Sequence, residues 1–285
     1  MIPVGFEYHS PASVQEAVKL LSTLGEDVKI LGGGQSLVTL MKLRLARPKH
    51  LIDLSSIPGL SYIRDEGNHL LIGALTTHTE IEESDLLKRK TPLLPLAATA
   101  IGDVQVRNRG TFGGSIAHSD PTGDIPPCIL ALDAEIKAVG PSGERWIKAR
   151  DFFIGMLTTD LGPDEILTEI KIPAQTSWKC AYLKAAQRAS GFAVVGVAAC
   201  LQLDNDGTCR EIAVALTGVT EKAYRAANVE DKLRAQKLDS KLIEDAASVV
   251  VDGIDVNEDI NGSQEYRSHL ARVYTARAVE AALKT

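Results

Sequence analysis

An α+β fold of two domains is what the sequence predicts, on three observations. Strand-like and helical runs come in blocks rather than in strict alternation. The chain has 285 residues, room for two cores. A polar stretch, Pro173-Ala174-Gln175-Thr176-Ser177, separates a mixed first part from three long strand-like runs and a helical remainder. Domains over 1–175 and 178–285 follow from that break.

Ser13-Val14-Gln15-Glu16 has the pattern of a capping box. The helix it opens, through about residue 24, is apolar at Val14, Ala17, Val18, Leu20 and Leu21, a helical period. Residues 28–31 read as a buried strand. Residues 37–44 read as a short helix stopped before Pro48, since a proline pushes the residue ahead of it out of the α region. Residues 50–54 are a further strand, so the first fifty-odd residues form a β-α-β-α-β unit. Residues 60–64 and 70–73 flank Asp65-Glu66-Gly67-Asn68 as a hairpin. A helix begins near Thr77 or Thr79, and the alanine-rich run 92–101 is a buried helix. Another helix, 125–132, starts behind Asp124. Residues 135–139 and 145–148 pair across Gly140-Pro141-Ser142-Gly143, and 165–172 is a strand ending at Pro173. After the break, 179–186, 192–203 and 209–218 are strands, with Asp204-Asn205-Asp206-Gly207 turning the second into the third. Residues 229–236, 240–251 and 264–283 are helices.

A net charge of −6 argues against general nucleic-acid binding. No apolar run approaches the roughly eighteen residues that span a bilayer, and Met1–Tyr8 lacks the features of a secretory leader, so the expectation is a protein of the cytoplasm or of the membrane's inner face. The four cysteines, Cys128, Cys180, Cys200 and Cys209, show no C-x-x-C spacing. Cys200 and Cys209 could face each other across a hairpin, but free thiols are the expectation in a reducing compartment. The six histidines show no H-x-x-x-H pair, and no metal is expected.

Two glycine-rich stretches carry the functional signal. Gly32-Gly33-Gly34-Gln35-Ser36 follows the first buried strand, and Gly110-Thr111-Phe112-Gly113-Gly114-Ser115 leads to Ile116-Ala117-His118-Ser119-Asp120-Pro121 and Asp124. Successive glycine amides turned to one point form an anion nest, and two such nests would clamp a pyrophosphate. Neither stretch has the lysine of a Walker loop. The first has an acidic residue, Asp53, at the distance a dinucleotide-binding loop requires, but not its glycine spacing.

These residues resemble the medium, FAD-binding subunit of the molybdenum hydroxylases, the xanthine dehydrogenase and carbon monoxide dehydrogenase group. The likeness rests on Gly32-Gly33-Gly34-Gln35-Ser36-Leu37, on Met41-Lys42-Leu43-Arg44-Leu45-Ala46-Arg47-Pro48, and on Val104-Gln105-Val106-Arg107-Asn108-Arg109-Gly110 running into Thr111–Asp124, and it covers nearly the whole chain. It implies a vanillyl-alcohol-oxidase-type (PCMH) FAD fold in two subdomains, about 1–57 and 58–175, followed by a C-terminal domain of three-stranded antiparallel sheet and helical bundle. It also implies noncovalent FAD, with the backbone of Gly32, Gly33, Gly34, Gln35, Ser36 and Leu37 and of Thr111, Phe112, Gly113, Gly114 and Ser115 at the pyrophosphate. Asp124 would accept from the adenosine, Ile166 and Leu167 would pack near the adenine, and Lys184 would reach the flavin N1/O2 edge. Phe192 stands where relatives often have a tyrosine beside the flavin ring. The function implied is electron transfer, from [2Fe–2S] clusters on a small partner subunit to an external acceptor. A large partner subunit would hold the molybdenum cofactor, in a heterotrimer or its dimer. No residue of this chain is assigned a catalytic role.

Blander readings stand beside these. Lys29 is a solvated strand residue. Lys42, Arg44, Arg47 and Lys49 form a basic strip, either a solvated face or a contact with FAD or a partner. One of Arg107 and Arg109 positions the second loop. His118 is structural, Asp120 a turn or cap residue, and Trp146 and Trp178 pack or sit at an interface. Two rival functions are a self-contained flavoenzyme of the same fold, for which the C-terminal half lacks a serine and carboxylate set, and an assembly subunit that has lost FAD. The resemblance is nearest to carbon monoxide dehydrogenase medium subunits, with N-heterocycles, purines and aldehydes as alternative substrates of the whole complex.

Overall fold

Residues 2–285 are described by the computed structural model. The first unit consists of β1 (Glu7–His9), α1 (Val14–Leu24), β2 (Val28–Leu31), α2 (Leu37–Lys42) and β3 (His50–Asp53). Both connections between strands successive in the chain run through a helix, as a parallel sheet requires, and the sheet is parallel in the order β1-β3-β2. Ser13 caps α1, its Oγ accepting from the Glu16 amide at 3.2 Å. The Glu16 carboxylate reaches one residue further back than a capping box would, to the Ala12 amide at 2.8 Å. The α1 stripe Ala17, Val18 and Leu21 closes on Val28, Ile52 and Leu54. The chain leaves β2 at Leu31 and enters the first glycine loop.

The second unit begins with the hairpin β4 (Ile63–Asp65) and β5 (His69–Gly73). Six short helices follow: α3 (His78–Glu83), α4 (Asp85–Lys90), α5 (Leu93–Thr99), α6 (Val104–Arg109), α7 (Phe112–His118) and α8 (Ile125–Ala131). The hairpin β6 (Glu135–Gly140) and β7 (Gly143–Lys148), the turn α9 (Ala149–Phe152), the small pair β8 (Phe153–Gly155) and β9 (Thr158–Thr159), and β10 (Ile166–Pro173) complete it. The antiparallel sheet runs β4-β5-β10-β6-β7. Ile170 stands opposite Ile72 on one side and Ile136 on the other, the centre of the core. Thr77 caps α3 with a full capping box, Glu80 returning the bond.

The C-terminal part carries three long antiparallel strands, β11 (Lys179–Ala186), β12 (Ala193–Leu203) and β13 (Cys209–Thr217), extended by the two-residue β14 (Tyr224–Arg225). Helices α10 (Ala227–Leu233), α11 (Ser240–Ala247) and α12 (Gln264–Lys284) cover one face. The strand period of two decides what each face meets. Val195, Val197, Ala199 and Leu201 of β12 pack on the helices. Ala198 and Cys200 point the other way, with Tyr182, Ala213 and Ala215, into the core of the second unit. The polar stretch at 173–177 is therefore a break in the chain and not in the core.

The register corrects the cysteine expectation. Cys180 lies directly opposite Cys200, at a Cα–Cα distance of 4.2 Å, and the two form a disulfide. Cys209 pairs with Leu203 rather than facing Cys200, and it remains a free, buried thiol, as does Cys128. Among the described residues no helix is long and apolar enough to cross a membrane.

Candidate functional site

The two glycine stretches, far apart in sequence, touch. A Cβ on Gly32 would stand 3.1 Å from Thr111 Oγ1, and one on Gly33 would overlap the Arg109 carbonyl and lie 2.8 Å from the Gly110 Cα. Gly34 turns the chain at φ 77°, in the left-handed region where glycine is at ease. Through this bend the backbone amides of Gly33, Gly34, Gln35 and Ser36 find no acceptor among the described residues. Gly33 and Gly34 are half-buried, and Gln35 and Ser36 are exposed. Four such amides stand without an acceptor at the C-terminal end of a parallel strand, the chemistry that an anion nest requires.

The second loop differs from the expectation of a matching nest. Its amides are already engaged: Phe112 donates to the Thr76 carbonyl at 2.8 Å, Gly113 to Ala74 at 2.9 Å, Gly114 to Thr111 Oγ1 at 3.2 Å and Ser115 to the Thr111 carbonyl at 3.0 Å. Thr111 is the cap of α7, and Phe112, fully buried, anchors the turn. Gly113 lets that turn lie against Ala74, where a Cβ would stand 2.6 Å from the Ala74 side chain. This loop is fastened to the sheet, with Gly114 exposed and Ser115 half-buried, beside the first loop.

Asp124 and Lys184, sixty residues apart, are brought together. Lys184 Nζ lies 3.0 Å and 3.1 Å from the two Asp124 carboxylate oxygens, and donates to the carbonyls of Ala100 at 2.6 Å and Gly191 at 2.8 Å. Tyr182 donates to Asp124 at 2.6 Å. The three hydrogens of the ammonium are thus engaged inside the protein. Burial pushes the Asp124 carboxyl up, against the pull of the Lys184 charge, and burial with the Asp124 charge pushes the Tyr182 phenol well up. The cluster ties the segment after α5, the start of α8 and the end of β11 to one point.

Ile166 and Leu167 are buried, in two different apolar clusters, while Phe192 is half exposed beside Gly191. Arg107 donates to Glu82 at 2.7 Å and to the Ile101 carbonyl at 3.0 Å, bonds that hold α6 just ahead of the second loop and do not reach the loop itself. Arg109 is exposed. Asp120 accepts from the Thr122 amide and hydroxyl, as a turn residue does. Sequence reasoning missed His78, which underlies Gly110 and whose pKa burial and the Arg107 charge lower to about 4. It also missed Tyr182 and the carbonyls of Ala100 and Gly191, which nothing in local spacing marks. A cavity of about 380 Å³ lies elsewhere, between the start of α1 and the five-stranded sheet, lined by Arg64, Lys137, Thr168 and Glu169 among others. It touches neither glycine loop.

A family model described as "FAD binding domain in molybdopterin dehydrogenase" matches residues 4–175, and one described as "CO dehydrogenase flavoprotein C-terminal domain" matches residues 180–282. The chain belongs to the FAD-binding subunits of the molybdenum hydroxylases. Among relatives of this family it is similar to the carbon monoxide dehydrogenase medium chain of Hydrogenophaga pseudoflava, 40% identical over 99% of this chain and 98% of the relative. It is similar as well to the glyceraldehyde dehydrogenase medium chain of Sulfolobus acidocaldarius, 38% identical over 98% of each. Among solved structures, the carbon monoxide dehydrogenase of Hydrogenophaga pseudoflava that lacks the Mo-pyranopterin moiety superposes with a TM-score of 0.96 at 41% identity, covering 100% of this chain and 99% of that one. Quinoline 2-oxidoreductase from Pseudomonas putida does so at 0.94 and 32%, with the same coverage. As a family member the chain is the flavoprotein subunit of an oxidoreductase, in the PCMH-type fold with its C-terminal domain.

Proposed function

We propose that this chain binds one FAD noncovalently and relays electrons, from [2Fe–2S] clusters on a small partner subunit to an external acceptor, within a molybdenum hydroxylase whose large subunit holds the molybdenum cofactor. The observation that carries the reading is the set of open amides of Gly33–Ser36 in a loop that touches the fastened second loop. The nest suits the doubly charged pyrophosphate of a dinucleotide, and glycine at position 33 is required by the contact with Arg109 and Gly110. When bound, FAD supplies both one- and two-electron exchange. The residues of the chain hold and orient it. Gly32 and Leu37 flank the amides that would receive the phosphate oxygens. Gly114 and Ser115 lie in the loop beside them. Asp124 would meet the adenosine only through the small part of it left accessible. Phe192 is free to lie against the ring. Lys184, its hydrogens engaged, acts on the site by positioning Asp124 and the segments at Ala100 and Gly191.

The iron–sulfur and molybdenum centres belong on other chains. Of the four cysteines two are paired and two are buried singly, so this chain offers no thiolate set for a cluster. The preferred substrate of the whole complex is carbon monoxide, on the likeness to the medium chains of that name. An aldehyde is the second reading, because the glyceraldehyde dehydrogenase relative is nearly as similar, 38% against 40%. Acid precipitation of the purified protein should release flavin into the supernatant, and chromatography should identify it as FAD, one per chain. Flavin retained in the pellet, or none at all in the intact complex, would overturn the reading. Sequencing the subunits that co-purify decides between the two substrate classes.

A further inference from the structure

We propose that Glu7, His9 and His50 form a binding site for a borderline divalent metal, zinc first, that clips β1 to β3. Backbone register builds the site. Glu7 is the partner of His50 across the parallel pair, and Glu7 and His9, two apart on β1, share a face of the sheet. His9 Nε2 lies 3.2 Å from His50 Nδ1, and Glu7 Oε2 lies 3.3 Å from the same nitrogen. The three ligand atoms lie within 4.8 Å of one another.

Protons alone serve this trio badly. His50 Nδ1 carries at most one hydrogen. If that hydrogen goes to Glu7, the nitrogen cannot also donate to His9. If Nδ1 is bare and accepts from His9, it faces the Glu7 carboxylate lone pair to lone pair. A single cation satisfies all three at once. Both separations from His50 Nδ1 suit one: ligand atoms about 2.0–2.1 Å from a tetrahedral centre stand about 3.3 Å apart. Two imidazoles and a carboxylate select zinc and its neighbours over magnesium or calcium, which prefer oxygen. Three protein ligands leave a fourth position to water, and solvent reaches it, since the Glu7 side chain is 74% exposed and that of His50 20%. Histidine spacing in the sequence hides the pair, because its members come from strands 41 residues apart. The open amides of the first glycine loop lie beyond the end of β2 and take no part.

The test uses tag-free, FAD-loaded protein stripped with a chelator. Zinc is titrated in competition with a chromophoric chelator, and cobalt(II) is added separately to read its visible d–d absorption. The expected result is one saturable equivalent per chain, with a cobalt spectrum of low-symmetry, nitrogen-containing coordination. His9→Ala and His50→Ala should each weaken binding about tenfold or more, Glu7→Gln less, and all three should keep the flavin content of the parent. If the alanine variants lose flavin, His9→Gln and His50→Gln take their place, since they keep the bulk and change the ligand. No saturable zinc binding, or binding unchanged in both histidine variants, overturns the proposal. Neither result touches the FAD reading, whose measure is the flavin itself.

Discussion

His78 lies beneath the second glycine loop, its amide bonded to the Gly110 carbonyl at 3.0 Å. Its folded pKa of about 4 lies below the unfolded value of 6.5. As pH falls, the unfolded chain takes the proton first. The contribution to stability is therefore complete above pH 6.5 and is lost between 6.5 and 4. Its size between pH 7 and pH 5 is about 2 kcal/mol. Urea denaturation at the two pH values should show that loss in the parent and a smaller one in His78→Gln, and equal losses would remove His78 from the account. The Asp124–Lys184 pair belongs to the same scale. Lys184→Ala leaves a buried carboxylate with Tyr182 as its one remaining partner and should cost about 3–5 kcal/mol. Lys184→Met combined with Asp124→Asn removes both charges and should recover much of it, so a double-mutant cycle in urea reads the coupling directly. Additive losses would mean that the pair is not coupled.

At the scale of elements, the first glycine loop depends on an approach no side chain permits. Gly33→Val would drive a Cβ into the Arg109 carbonyl, so the loop must leave its neighbour and its amides lose their common aim. Flavin content should fall to near zero while the far-ultraviolet circular dichroism of the sheets persists. Gly5→Ala, where a Cβ meets nothing, is the control and should keep full flavin. A Gly33→Val protein with parental flavin would show that the loop is an ordinary turn. The elements themselves were legible in sequence where one local pattern determines them: β2 and β11 have the predicted bounds, and Ser13 caps α1. What escaped depends on register and tertiary contact. The Cys180–Cys200 bond needs β11 aligned on β12, the engaged amides of Phe112 and Gly113 need β5 and its exit beside α7, and the saturation of Lys184 needs carbonyls that no residue type announces. Glycine marks open backbone and close packing alike: the amides of Gly33 and Gly34 are open, while those of Gly113 and Gly114 are engaged.

At the scale of the whole molecule, the two family matches divide the chain near residue 177, but the packing does not. One face of the C-terminal sheet, with Tyr182, Ala198, Cys200, Ala213 and Ala215, closes the core beneath α5 and α8. Alanine at these positions lets helix and sheet approach, and polar links seal the edge. Thr217 Oγ1 and the Gly218 amide both donate to the Pro121 carbonyl at 2.7 Å, Lys222 donates to Phe153 at 2.9 Å, and Arg225 to Leu130 at 3.0 Å. Separating the two parts would expose those apolar surfaces and leave the Lys184–Asp124 pair divided between two fragments. Neither part therefore keeps its stability alone, and the chain should unfold as one cooperative unit. Differential scanning calorimetry should give a single transition whose calorimetric and van't Hoff enthalpies agree. A fragment of residues 1–177 should expose the α5–α8 surface, bind a hydrophobic dye and fail to retain flavin, because the segments at Ala100 and Asp124 lose the lysine that fixes them. Two resolved transitions, or a 1–177 fragment that melts cooperatively with FAD bound, would show that the shared core contributes little and that the glycine loops are held by the first two units alone.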